Sequence, residues 1–383
     1  MNDFKIIDDV MPDVPPPVVG AVAEARARVF RPHRPHRLRL RFPVWAGGVV
    51  AAAATVAVIG TAVAVPLLGD GAGDRTGDGA TATATALVDS PGAEEVLDAV
   101  ADRLARREEP ERANWRVETE LIERWPFAGD EFLVENRDRE VHWAGPDGPA
   151  VVEVSRVGTE PLTAADRAAW EQAGSPRLCG SDSDCENDQV PYGRTRYIPA
   201  DPGDYHLSSV RLSPQELREL PQDPVELKEE ILSRWARALK DIENSDTPPG
   251  GDVPSDGDAV WWVGQRLLTE APTTPQTRAA VLRMLSTLPD VRITDGVRDI
   301  EGRAGLALTR DTGGPYAERI VVDRATGDPL AVEGMPTVPV PQLKGLPTGS
   351  AAFSKLIRRM GWTDEAPALP EGCTPRTKKD CLR

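Results

Sequence analysis

The 383 residues are enough for one or two domains with a sizeable core. Asp and Glu total 61 against 45 Lys and Arg, and the net charge of −16 excludes nucleic-acid binding by bulk electrostatics. Hydrophobic residues make up 40% of the chain while Gly (33) and Pro (36) are abundant, so linkers and turns are expected rather than one compact helical bundle.

In chain order, the first predicted region is an Arg-rich tail, residues 1–43, with eight basic and five acidic groups. Arg26, Arg28, Arg31, Arg34, Arg37, Arg39 and Arg41 lead to a stretch without charge from Phe42 to Gly69. Within it, Val44 to Val65 covers about 33 Å as a helix, the thickness of a hydrocarbon core. Trp45 suits the interface at one end and Pro66 stops the helix at the other. A cleaved signal peptide has an apolar core of about 7–15 residues behind a short basic start. Here a long tail precedes a longer run, so residues 44–68 are expected to be an uncleaved transmembrane helix. The positive-inside rule then puts the tail in the cytoplasm and the C-terminal part outside. All four cysteines, Cys179, Cys185, Cys373 and Cys381, fall on that outer side. An even count confined there fits an oxidising compartment. Three connectivities are open, and the short spacings favour Cys179–Cys185 and Cys373–Cys381.

Residues 69–89, rich in Gly, Ala, Thr and Asp, read as a flexible linker. An extracytoplasmic α+β domain is expected over 90–383. It starts with a helix capped at Ser90, whose apolar face is Val96, Leu97, Val100 and Leu104. Period-two alternation follows. Trp115, Val117, Thr119 and Leu121 alternate with Arg116, Glu118 and Glu120, and Phe132 and Val134 continue the pattern. Val141 and Trp143, a Gly-Pro-Asp-Gly turn and Val151, Val152 and Val154 complete an antiparallel meander with one covered face. A short helix spans Thr163–Ala173, and residues 175–206 read as irregular. Capping-box spacing at Ser213/Glu216 and Asp223/Glu226 starts two helices. A loop over 243–258 separates these from helices at Ala259–Leu268 and Thr274–Leu288. Val291 and Ile293, then Ala304, Leu306 and Leu308, then Ile320–Val322, Leu330 and Val332 predict further antiparallel strands, with a turn at Asp323–Gly327. Phe353, Leu356, Ile357 and Met360 read as a final amphipathic helix.

Several segments together resemble a known family. They are Asp8-Asp9 and Asp13-Val14-Pro15 leading to Ala25-Arg26-Ala27-Arg28, the Arg-rich approach to the span, and Val141-His142-Trp143 before Asp147-Gly148. The others are Leu220 through Leu227, Pro275 through Ala280 running to Leu288-Pro289, Asp299-x-x-Gly302-Arg303, and Val322-Asp323 through Leu330. The chain is thereby similar to an actinobacterial family of single-pass membrane proteins often encoded beside extracytoplasmic-function sigma factors. The outer domain also looks like the lipoprotein-carrier/sigma-regulator envelope fold, in which a curved antiparallel sheet covers helices. Both resemblances imply topology and fold rather than activity.

No motif carries a reaction. There is no Gly-x-Ser-x-Gly elbow, no His-Glu-x-x-His and no Walker loop. His33 and His36 sit in the Arg run, and His142 and His206 are isolated. Asp182, Asp184 and Glu186 alternate as in an EF-hand, but Asn187 stands where Gly is required and Gly193 where the bidentate Glu belongs. The spacings Cys-x5-Cys and Cys-x7-Cys are too wide for zinc knuckles. Trp261-Trp262 reads as a core pair. No catalytic, cofactor or metal residue is therefore assigned. The expected function is non-enzymatic sensing or binding at the membrane, linked through the tail to a sigma factor or an envelope protein. Val18, Val22 and Val29, at helical spacing, are the partner-binding candidates. The alternative is a carrier of an apolar envelope ligand, and an enzyme is the third reading.

Overall fold

The computed structural model describes residues 92–127, 131–178, 194–200, 203–208, 210–243, 254–311, 313–340, 343–347, 349–374 and 381–382. All belong to one unit of the chain, Gly47–Arg383. The tail with Val18, Val22 and Val29, the span over 44–68 and the cysteines Cys179 and Cys185 lie outside the described residues. Among the described helices, none is long and apolar enough to cross a membrane.

The architecture is α+β. Helix α1 (Ala93–Ala105) precedes three long strands, β1 (Asn114–Phe127), β2 (Phe132–Gly145) and β3 (Gly148–Pro161). Helix α2 (Ala164–Gln172) and strands β4 (Thr195–Pro199), β5 (Tyr205–Leu207) and β6 (Val210–Leu212) follow. Next come α3 (Pro214–Arg218), α4 (Pro224–Glu243), α5 (Asp256–Thr269) and α6 (Pro275–Ser286). The chain closes with β7 (Val291–Arg298), β8 (Ala304–Arg310), β9 (Tyr316–Val322), β10 (Pro329–Pro336), β11 (Phe353–Thr363) and β12 (Cys381–Leu382).

Ten strands form one sheet in the order β12-β4-β3-β2-β1-β11-β10-β9-β8-β7, every pairing antiparallel. Strands β5 and β6 make a separate hairpin. The predicted alternation holds in β1 as far as Thr119, with Trp115 and Val117 entering the main core; beyond it Leu121 is only half-buried and Ile122 is fully buried in a second cluster with Ala307, Val321, Ala331 and Leu356. Ile293, Leu306, Leu308, Ile320, Val322 and Val332 join it from β7–β10, and Trp261, Leu267, Leu268, Val281 and Leu285 face them from α5 and α6. The expected turn is present at Gly327, whose φ of 78° suits glycine and whose N–H bonds to the Asp323 carbonyl.

Capping chemistry sets the helix starts. Thr163, Ser213 and Ser255 each close a capping box with an acid three residues on, and Thr274 caps α6. Asp223 caps α4 by accepting from the Val225 and Glu226 N–H groups. Helix α1 has Gly92 at its N-cap, and Ser90 lies outside the described residues.

Three expectations are corrected. The segment around Phe353–Met360 is not a helix. It is β11, held between β1 and β10. Part of 175–206 is regular, because β4 pairs with β3. The meander does not have a single covered face. Trp143 pairs with Arg116 rather than with Trp115, and Val151 pairs with Trp143, yet both are buried. Trp143 is held there by the Arg116 guanidinium over its ring and by donating to Glu153. Cys373 is disulfide-bonded, and Cys381 opens β12 opposite Tyr197.

Candidate functional site

The β1–β2 ladder runs without a break, so its register defines which side chains share a face. Trp115 and Val117 lie on the face covered by the main core. Continuing by twos adds Thr119, Leu121, Glu123 and Trp125, with Ala144, His142, Glu140, Asp138, Asn136 and Val134 opposite them. The two ends of this row are apolar. At one, Trp115, Val117 and Ala144 belong to the main core. At the other, Phe127, Phe132 and Val134 pack with Trp125 and with Ala169 and Trp170 of α2. Between them lies a polar strip. Strand β3 extends it with Thr159 opposite Asn136 and Arg156 opposite Asp138. Strand β11 contributes Lys355 opposite Leu121.

Most of the strip is satisfied internally. Lys355 Nζ donates to Glu270 Oε1 at 2.6 Å, and Arg266 lies 3.4 Å from Glu270 Oε2. Burial by itself would raise the Glu270 pKa. Lys355, Arg266 and His142 outweigh it and hold the carboxyl down at about 2. Thr159 donates to Asn136 at 2.8 Å, and Asn136 donates to Asp138 at 3.0 Å. Arg156 reaches Asp138 at 3.4 Å, although burial still leaves the Asp138 pKa raised. His142 Nε2 is 3.1 Å from Glu140 Oε2.

Two groups stand apart. Glu123 is pushed up to about 7 by burial first, then by the charges of Asp138 and Glu140, with Arg156 compensating least. The Thr119 side chain is 0% exposed and its Oγ1 has no hydrogen-bond partner among the described residues. Solvent still reaches the strip, because the Asp138 and His142 side chains are 21% and 28% exposed. Among the described residues, no three His, Cys, Asp or Glu side chains converge as a metal site.

The opposite face of the same strands has different chemistry. There Arg137 bridges Glu120 and Glu135, while Arg358 bridges Glu120 and Glu301, forming an ion-pair lattice. These groups compensate one another, and beside them Ile122 and Leu356 are buried in an apolar cluster with Ala307, Val321 and Ala331.

No family model matches this chain, and no curated protein sequence does. Among solved structures, it aligns with a LolA superfamily protein from Nitrosomonas europaea at 11% identity. The alignment covers 73% of this chain and 96% of that one, with a TM-score of 0.16. At that score the likeness carries no argument about ligand or mechanism.

The strip was not among the sequence-predicted site residues. Its signal was nonetheless present, because extending the alternation of β1 past Leu121 places Glu123 on the covered side. Extending that of β2 past Val134 places Asn136, Asp138, Glu140 and His142 there too. Of the predicted residues, Cys373 and Cys381 are described, the first between β11 and β12 and the second on β12, and neither lies on a strand forming the strip.

Proposed function

We propose that this chain is a single-pass envelope protein whose outer domain, residues 90–383, binds a ligand without chemical turnover. In this reading residues 1–43 form the cytoplasmic tail, 44–68 the span and 69–89 the linker. The bonds Cys179–Cys185 and Cys373–Cys381 brace the outer part. The supporting observation is the polar strip on the core side of the sheet, with Glu123 only partly compensated by Arg156 and a Thr119 hydroxyl without a partner among the described residues. Burying such groups is costly unless something pairs with them. The side chains of the apolar layer between sheet and helices, such as Ile293, Leu308, Ile320, Trp261 and Leu285, are nearly fully buried, which favours the strip over that layer as the place of binding. The tail reaches a cytoplasmic partner such as a sigma factor through Val18, Val22 and Val29.

A ligand at a hundredfold excess over its Kd stabilises a protein by about 2.7 kcal/mol. Small-molecule fractions of cell envelope should therefore raise the melting temperature of the full chain in detergent micelles. No shift with any fraction overturns the binding reading. Protease applied to wall-stripped cells should digest 90–383 and spare 1–43, and the reverse overturns the orientation.

A further inference from the structure

We propose that the strip on β1, β2 and β3 recognises a small organic dication, two ammonium groups set about one strand repeat apart. This rests on the ligand-binding reading and names its ligand class. The first argument is placement. In the continuous register Thr119 stands opposite Glu140, Leu121 opposite Asp138 and Glu123 opposite Asn136. Acceptors therefore occur at two successive levels of one face, separated by about 7 Å along the strand. One level holds Thr119 and Glu140. The next holds Asp138 opposite Leu121, with Glu123 one level further on, opposite Asn136.

The second argument is charge. The cations nearest the strip are engaged. Lys355 and Arg266 both serve Glu270, and Arg156 serves Asp138. Glu140 is 3% exposed and has His142 beside it, while Glu123 is desolvated among acids. The local need is for positive charge.

The third argument is the Thr119 hydroxyl. It is fully buried, has no hydrogen-bond partner among the described residues, and stands directly opposite Glu140 on that face. A buried hydroxyl without a partner is rare. An ammonium has three donors, and the Thr119 and Glu140 oxygens offer acceptors at one level. A single metal ion requires ligands gathered within one small shell, and the acids here are spread along the strip. A linear dication matches that spread. The 21% exposure of Asp138 and the 28% exposure of His142 give it access.

The test is calorimetric titration of the full chain in detergent micelles at pH 8 with 1,4-diaminobutane, n-butylamine and 1,4-butanediol. The diamine should bind, the monoamine should bind at least about tenfold more weakly, and the diol should give no heat. Glu123→Gln and Thr119→Val should each weaken diamine binding about tenfold or more, with no fall in the ligand-free melting temperature. A merely structural role for Thr119 leaves binding unchanged in Thr119→Val and overturns the assignment. Binding should weaken from pH 8 to pH 6 as Glu123 takes up a proton, and this slope should vanish in Glu123→Gln. No heat with the diamine, or equal heat with the diol, also overturns it. If the diamine fails while an envelope fraction still raises the melting temperature, the cation is wrong and the binding reading stands. If both fail, both fall.

Discussion

One face of one sheet carries two regions built on opposite terms. Over β7–β10, Ile293, Leu306, Leu308, Ile320, Val322 and Val332 meet α5 and α6 in a dry layer. Over β1–β3, the same face holds Thr119, Glu123, Asn136, Asp138 and Glu140 between two apolar ends. The dry region also contains a polar contact, but a completed one: Trp261 Nε1 donates to the half-buried carboxyl of Glu318 at 2.5 Å. The strip leaves Glu123 and Thr119 incomplete. The difference separates tasks. Close packing in one region supplies the stability that lets the other hold groups unmatched within the protein.

The largest effect should come from breaking the dry region. Trp261→Ala removes a side chain of 0% exposure and strands Glu318, and should cost about 4 kcal/mol in urea unfolding of the full chain. A loss below about 1 kcal/mol would erase the contrast between the regions.

The next prediction sets two carboxyls of the strip against each other. Glu123 has its folded-state pKa raised from 4.5 to about 7. The folded chain holds that proton more tightly, so its contribution is complete below pH 4.5 and is lost as pH rises to 7. By linkage the loss is about 3 kcal/mol. Glu270 has its pKa lowered from 4.5 to about 2, so its contribution is present above pH 4.5 and is lost as pH falls toward 2. Unfolding midpoints of Glu123→Gln should flatten the fall between pH 4.5 and 7. Those of Glu270→Gln should flatten only the acid side. Matching profiles for the two variants would contradict the opposite environments.

The smallest effect lies at an exposed helix start. Ser255→Ala removes a capping box at α5 and should cost about 1 kcal/mol, measured by the same unfolding. The polar strip should be unaffected, so the pH profile should shift without changing shape.

Most helix starts were readable because capping is local, with Thr163, Ser213 and Thr274 sitting within a few residues of the groups they bond; α5 instead starts at Asp256 behind Ser255, inside the segment expected to be a loop. Strand β11 was not, and the reason is a bulge. Its pairing with β1 slips between Glu118 and Thr119, so that Ile357 stands opposite Thr119 and Met360 opposite Val117. The residues on the core side then run Phe353, Lys355, Ile357, Met360 and Trp362, and the slip turns one step of two into a step of three. An apolar run with a three-residue step imitates a helix. The displaced Arg358 bonds Glu120 and Glu301 on the far side.

Alternation, caps and turn residues by themselves determined the α+β class, the order of most elements and the faces of β7–β10 and of the first part of β1, because each depends on neighbours within a few positions. The burial of Trp143 opposite the main core, the pairing of β4 and the assembly of the polar strip were decided only by the tertiary structure. Those features need β1, β2, β3 and β11 in register beside α5. The pKa of Glu123 depends on Asp138 and Glu140 across the ladder and on how much water the fold removes, quantities that no stretch of sequence contains.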